Sequence, residues 1–198
     1  MDQILHLAFG IGLSYAVGTC VAGFYVTRWR IHKDLRELGS GSAGARNAAR
    51  ILGRGFGVAV FAWDFAKGAL AVALVKYLFA DELVTSASAA AVVLGHVWPA
   101  QLGFRGGMGV APAAGALIVL QPAVLAIVAV VYALGAVVSR DVARRALAAF
   151  AAGLAGIPFL RMPAGEAVAS AFVLAILIWT HREGLLSRKN DPVKQEVK

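Results

Sequence analysis

Charge is scarce in this chain: 15% of its 198 residues are Asp, Glu, Lys or Arg, against 60% that are apolar, and the mean hydropathy is +0.74. A soluble domain of that length could not hide so much apolar surface in one core. A bilayer removes the difficulty, because lipid solvates the outer faces of helices. Also missing is the alternation of polar and apolar positions that strands of a membrane β-barrel need. The apolar residues are mostly Ala, Val, Leu and Gly, which suit closely packed membrane helices. With Cys20 as the sole cysteine, no intramolecular disulfide can form, and Cys20 itself reads as a small apolar residue on a helix. No basic stretch precedes the first apolar run, only Asp2, so a cleavable signal peptide is not expected.

The charge that is present is lopsided, with a net of +8 and a pI of about 10.2. In a soluble protein this would suggest nucleic acid. Here the Lys and Arg residues sit in short clusters between apolar runs, so positive-inside topology accounts for them and no nucleic-acid partner is expected. Apolar segments lie at 4–26, 55–79, 84–102, 109–120, 122–138, 146–160 and 164–180. The run 109–138 exceeds one span of about 20 residues, and Gln121-Pro122 in its middle is a natural break. Two short helices meeting there is the favoured reading; one long kinked helix is the alternative. With the amino terminus outside, 16 of the 19 basic residues fall in the inner loops and the carboxyl-terminal tail. A single crossing over 109–138 would collapse that bias. The expectation is therefore an all-α polytopic membrane protein of about seven transmembrane helices, amino terminus out and carboxyl terminus in. Residues 1–186 read as a single membrane domain and 187–198 as a polar, disordered cytoplasmic tail. Arg28 to Leu38 reads as an interfacial helix, with Ile31, Leu35 and Leu38 on one face.

Several polar stretches resist the plain bundle reading. The segment 38–50 holds Gly39, Ser40, Gly41, Ser42, Gly44, Arg46, Asn47 and Arg50 just before a membrane helix. Glycines let backbone N–H groups approach an anion, and Ser and Arg add donors, which suits phosphate; an ordinary flexible loop is the plain alternative. A second glycine-rich basic turn follows Gly95-His96-Val97-Trp98-Pro99, namely Phe104-Arg105-Gly106-Gly107-Met108-Gly109. A third cluster, His181-Arg182-Glu183-Gly184, ends the last helix, where a basic group also complements the helix dipole. Asp64 and Lys67 stand three apart within an apolar segment and read as a mutual buried ion pair. All three loops face the cytoplasm in the topology above, which argues for one composite anion site at the membrane surface.

At these residues the chain resembles the bacterial acyl-phosphate:glycerol-3-phosphate acyltransferase family. That family's first motif reads roughly GSGNxGxTNxxR, and GSGSAGARNAAR occupies 39–50. Its second reads GHxxPxxxxFKGGKG, and GHVWPAQLGFRGGMG occupies 95–109. Its third is HREN, and HREG occupies 181–184; a DxxKG segment spans Asp64 to Gly68. The resemblance implies a seven-helix enzyme of the bacterial cytoplasmic membrane, using no metal or other cofactor. It would move a fatty acyl group from acyl phosphate to the 1-hydroxyl of glycerol 3-phosphate, giving lysophosphatidic acid for phospholipid synthesis. By resemblance, Ser40, Arg50 and His181 would be catalytic, with Ser40 and Arg50 on phosphate. Gly39, Gly41, Arg46, Asn47, His96, Arg105, Gly106, Gly107, Arg182 and Glu183 would bind substrate, Asn47 by bracing its loop. The sequence departs from the pattern at Ser42, Arg46, Met108 and Gly184, and Ala143 and Ala146 stand where a serine-bearing segment would fall. Arg46, Arg144 and Arg145 are extra cations that could compensate. The alternatives are a different acceptor or a non-catalytic phosphate- or headgroup-binding descendant. A small transporter is disfavoured by the lack of repeats, and the HxxxxD acyltransferase class by the lack of any such spacing.

Overall fold

The computed structural model describes residues 2–189, with side chains as far as Arg182. It contains helices α1 (Asp2–Gly18), α2 (Ala22–Ile31), α3 (Ala45–Leu52), α4 (Arg54–Phe79), α5 (Glu82–Val97), α6 (Val110–Leu120), α7 (Pro122–Val138), α8 (Val142–Gly156) and α9 (Ala164–Lys189), and no strand among the described residues. Five apolar segments are long enough to cross a membrane: Asp2–Ile31, Arg54–Phe79, Glu82–Leu102, Val142–Phe159 and Ala164–Arg182. The apolar α6 and α7 are shorter. The break between them falls at Gln121, with Pro122 opening α7, where its missing N–H costs nothing.

Hydrogen bonds define two ends of the bundle. At one end Gln3 reaches Asp81, the Gly165 amide donates to Glu82, and Gln121 pairs with Glu166. The loops carrying residues 38–44 and 103–109 meet α9 near Thr180 and His181 at the other end. The seven apolar segments of the sequence reading are all helical, five of them long enough to span and α6 and α7 shorter, with α1 and α2 together forming the first. α6 is about 16 Å long, half of a hydrocarbon core of about 30 Å. It reaches the far end because the segment before it dips inward: Gly107 and Gly109 are buried, Gly109 against Val97, Val93 and Leu177.

Small residues set the helix spacing. Gly10, Ser14 and Gly18 make one buried stripe on α1, at every fourth position. A Cβ on Gly18 would strike the Val92 carbonyl of α5, and one on Gly95 would strike the Tyr15 carbonyl of α1, so these backbones touch directly. The central core joins Ala71, Val72, Val92, Val93, Leu117, Leu120, Phe150, Val173, Leu174 and Leu177 from α4, α5, α6, α8 and α9. Outward faces stay apolar, with Tyr77, Leu70, Val137 and Phe159 exposed.

Three sequence expectations change. The first apolar run is not one helix but breaks at residues 19–21, so Cys20 lies in the break, exposed, and not on a helix. The interfacial helix over 28–38 does not form. α2 stops at Ile31, His32 takes a left-handed conformation (φ 56°), and a separate turn of 3-10 helix covers Leu35–Glu37, capped by Asp34. Leu35 is fully buried there, which a surface-lying helix would not allow. α9 also runs past Ser187 to Lys189, while residues 190–198 of the expected tail lie outside the described residues.

Candidate active site

The first loop is built around Asn47, buried on the short helix α3. Its side-chain amide donates toward the carbonyls of Leu38 (2.8 Å), Ser42 (3.0 Å) and Leu35 (3.1 Å). Its Oδ1 accepts from the Ser40 amide at 2.9 Å. Gly39 and Gly41 make this turn possible with φ of 58° and 75°. The carbonyls are thereby drawn inward, and Ser40, Gly39 and Gly41 are left exposed. Arg46 and Arg50, four apart on α3, share a face and are exposed. Arg50 Nη1 lies 3.4 Å from Asn47 Oδ1, and its stem passes beside Gly39, which brings Arg50 to Ser40.

The second loop works differently from its sequence reading. The amides of Gly106 and Gly107, expected to cradle phosphate, donate to Val97 O (3.0 Å) and His96 O (3.1 Å). What these glycines supply is closeness. A side chain on Gly106 would meet the His96 carbonyl and the Pro99 ring, and one on Gly107 would overlap the His96 imidazole. His96, expected to touch substrate, is only 2% exposed and belongs to a buried polar cluster. Lys67 Nζ sits 2.7 Å from Asp64 Oδ1 and 2.9 Å from His96 Nδ1, and Asp64 lies 3.5 Å from His96. Lys67 also donates to the Cys20 carbonyl at 2.9 Å. A continuous helix would spend that carbonyl on its own backbone; the break after α1 frees it for the ammonium group. Lysine can only donate, so His96 Nδ1 is the acceptor and the neutral ring carries its proton on Nε2, against Gly107.

On α9, His181 is 7% exposed and packs edge-on to Phe150 of α8, centroids 5.2 Å apart. Its Nδ1 lies 2.8 Å from the Leu177 carbonyl, which can only accept, so in the neutral ring Nε2 carries the lone pair. Arg182 stacks on Trp179 with its Cζ 3.1 Å from the ring centroid. The Glu183 side chain lies outside the described residues. Arg145 stacks on Tyr132 of α7, and Arg144 pairs with Asp141 at 3.7 Å.

The two loops and α9 close on one another. The Ala43 amide donates to the Gly106 carbonyl (3.3 Å), and Thr180 Oγ1 donates to the Met108 carbonyl (3.0 Å). Arg36 Nη1 donates to the carbonyls of Leu102 (2.6 Å) and Arg105 (3.0 Å), while Asp34 grips the rest of its guanidinium. That gathers Ser40, Arg46, Arg50, Arg105 and His181 at one end of the bundle. Arg36, Asp34 and Thr180 escaped the sequence reading. Only the Asp34-x-Arg36 spacing hinted at a local pair, and nothing in it points to Leu102.

Residues 8–188 match the model of the glycerol-3-phosphate acyltransferase family. The chain belongs to that family. It is 38% identical over 175 residues to a glycerol-3-phosphate acyltransferase of Myxococcus xanthus (strain DK1622), covering 88% of this chain and 91% of that one. A relative of the same name from Gluconobacter oxydans (strain 621H) is 37% identical over 180 residues, covering 89% and 86%. Among solved structures, PlsY, an integral membrane glycerol 3-phosphate acyltransferase, superposes in its glycerol 3-phosphate form with a TM-score of 0.84 at 29% identity over 92% of each chain. The same enzyme's lysophosphatidic acid form gives a TM-score of 0.82 at 28% identity, covering 92% of this chain and 91% of that one. As a member of the glycerol-3-phosphate acyltransferase family, the chain keeps its all-helical membrane architecture while carrying Arg46 and Met108 at its loop ends.

Proposed function

We propose that this protein transfers a fatty acyl group from acyl phosphate to the 1-hydroxyl of glycerol 3-phosphate, at the cytoplasmic face of a bacterial inner membrane. The products are lysophosphatidic acid and inorganic phosphate. The observation that carries the reading is the meeting at one bundle end of the loop of Ser40, the loop of Arg105 and the His181 turn of α9, fastened through Ala43–Gly106 and Thr180–Met108. Membership in the glycerol-3-phosphate acyltransferase family supports the acceptor and the product class.

Acyl phosphate is a mixed anhydride with a good leaving group, so no protein nucleophile is required. The acceptor hydroxyl oxygen attacks the acyl carbon, the acyl carbon–oxygen bond to phosphate breaks, and the hydroxyl proton ends on the departing phosphate. The protein's task is to place two phosphates together and offset their charge. Ser40 and Arg50 hold phosphate, with Asn47 keeping the loop open toward them. Arg105 and Arg46 supply further positive charge. His181 Nε2 orients the acceptor hydroxyl from below. Arg182 flanks it. Asp64, Lys67 and His96 support the second loop from inside the membrane.

The test is turnover by purified protein in lipid or detergent, given palmitoyl phosphate and radiolabelled glycerol 3-phosphate, with acyl-CoA as a parallel donor. Labelled lysophosphatidic acid from acyl phosphate alone is the expected result. No product from either donor, in folded protein, would refute transfer to this acceptor. Met108, which offers the site no charge, would then favour the binding-only descendant.

A further inference from the structure

We infer that Arg36 is a positioning residue for the reaction: it holds Arg105 at a set distance from the first loop, so that both loops grip the phosphorylated acceptor together. The inference rests on the transferase reading above. Arg36 itself is half-buried, and its charge is already committed. Asp34 Oδ1 and Oδ2 take its Nε at 3.0 and 3.1 Å, and Oδ2 takes Nη2 at 2.7 Å. The Phe24 ring lies beneath, its centroid 5.0 Å from Cζ. That leaves Nη1, which spends its two protons on Leu102 O and Arg105 O, on the second loop.

The geometry is that of a rigid bracket. A planar guanidinium held on one edge by a carboxylate can present its other edge in one direction only. The bracket stands on a small packed cluster, where Val21 and Ala43 are buried with Leu102 and Phe24 lies against them. One residue past the clamped Arg105 carbonyl, Gly106 O receives the Ala43 amide from the first loop. Two adjacent carbonyls of the second loop are thus tied, one to Arg36 and one to the first loop, and the Arg105 side chain leaves the backbone between the two carbonyls, Leu102 and Arg105, that Arg36 holds. It is exposed, on the same bundle end as Ser40, Arg46 and Arg50. Without the bracket, Arg105 would remain present but poorly aimed. Lysine at 36 retains the charge and reaches one partner, but it cannot join Asp34 and two carbonyls in one plane.

The experiment is a double-mutant cycle read in steady-state kinetics with palmitoyl phosphate, using Arg36→Lys, Arg105→Ala and both together. Arg105→Ala should raise KM for glycerol 3-phosphate about tenfold, the loss of one charged hydrogen bond. Arg36→Lys should raise it about fivefold with kcat within about twofold, and the double variant should match Arg105→Ala alone, because there is no longer a side chain to aim. A purely structural role would lower thermal stability or kcat, or multiply the two KM effects, and any of these without the shared KM loss overturns the inference. If the wild type turns nothing over, the transferase reading has failed. The same cycle is then read as the dissociation constant for glycerol 3-phosphate by calorimetry, with the same pattern expected and additive losses overturning it.

Discussion

Asn47 spends all its hydrogen-bonding groups on its own loop, gathering three carbonyls and the Ser40 amide around one side chain. Asn47→Ala strands those groups and should destabilise the protein by about 2–3 kcal/mol. It should also remove turnover by letting Ser40 drift from Arg50. Thermal unfolding in detergent beside the transfer assay checks both. Asn47→Asp should be no better, because a carboxylate offers acceptors to carbonyls that need donors. Arg50→Ala should abolish transfer more completely than Arg46→Ala, since Arg50 sits beside Ser40 at Gly39; a dead Arg46 variant with a live Arg50 variant would refute the site assignment. The Asp34 carboxyl is held below its ordinary value by its hydrogen bonds to Arg36. A depressed carboxyl stabilises the fold above its unfolded pKa, and that contribution disappears as pH falls through the folded value. The difference in melting temperature between wild type and Asp34→Asn should therefore be constant from neutral pH down to about pH 5 and shrink below about pH 4.

Among the elements, the broken first helix has the clearest chemical use. Its interruption at 19–21 presents Cys20 O to Lys67 and Thr19 O to Gln101 (2.7 Å), tying α1 to α4 and to the turn after α5. Lys67 is thereby the hub of a buried cluster with Asp64 and His96. Lys67→Met leaves the Asp64 charge uncompensated and should cost about 3–5 kcal/mol in unfolding measurements. Adding Asp64→Leu should recover most of that, since an apolar pair of similar volume avoids the desolvation penalty. If the double variant is as unstable as the single, the cluster supports the loop through geometry that an apolar pair cannot copy. α1 and α5 meet at Gly18 and Gly95 backbone to backbone, so neither position has space for a side chain without moving a helix.

At the scale of the whole molecule, the two ends differ in charge. The end near Gln3 carries Asp81, Glu82 and Glu166, and the site end carries Arg36, Arg46, Arg50, Arg105 and Arg182. That difference, read through the positive-inside bias, supports the cytoplasmic placement proposed for the site. With Cys20 replaced by Ser, a membrane-impermeant maleimide applied to intact spheroplasts should label Gln3→Cys and spare Phe104→Cys until the membrane is opened. The reverse labelling would invert the topology and put the site on the wrong face for a cytoplasmic substrate.

Much of this architecture was legible in the residues alone. Apolar run length and the placement of basic clusters foretold an all-helical membrane bundle, and Gln121-Pro122 marked the division of α6 from α7, because proline at that point cannot continue a helix. The motif stretches at 39–50, 95–109 and 181–184 pointed to the family. Those are local properties, carried by composition, backbone restriction and spacing. What only the tertiary structure decided is which polar groups are free. It turned the Gly106 and Gly107 amides inward, took His96 out of the solvent-facing set and into a cluster with Lys67, and stopped α2 at Ile31 so that Asp34 and Arg36 could reach the second loop. Each of these depends on a partner far along the chain. Burial and hydrogen-bond pairing are properties of the packed molecule, and a sequence pattern that names a donor does not say where its proton is spent.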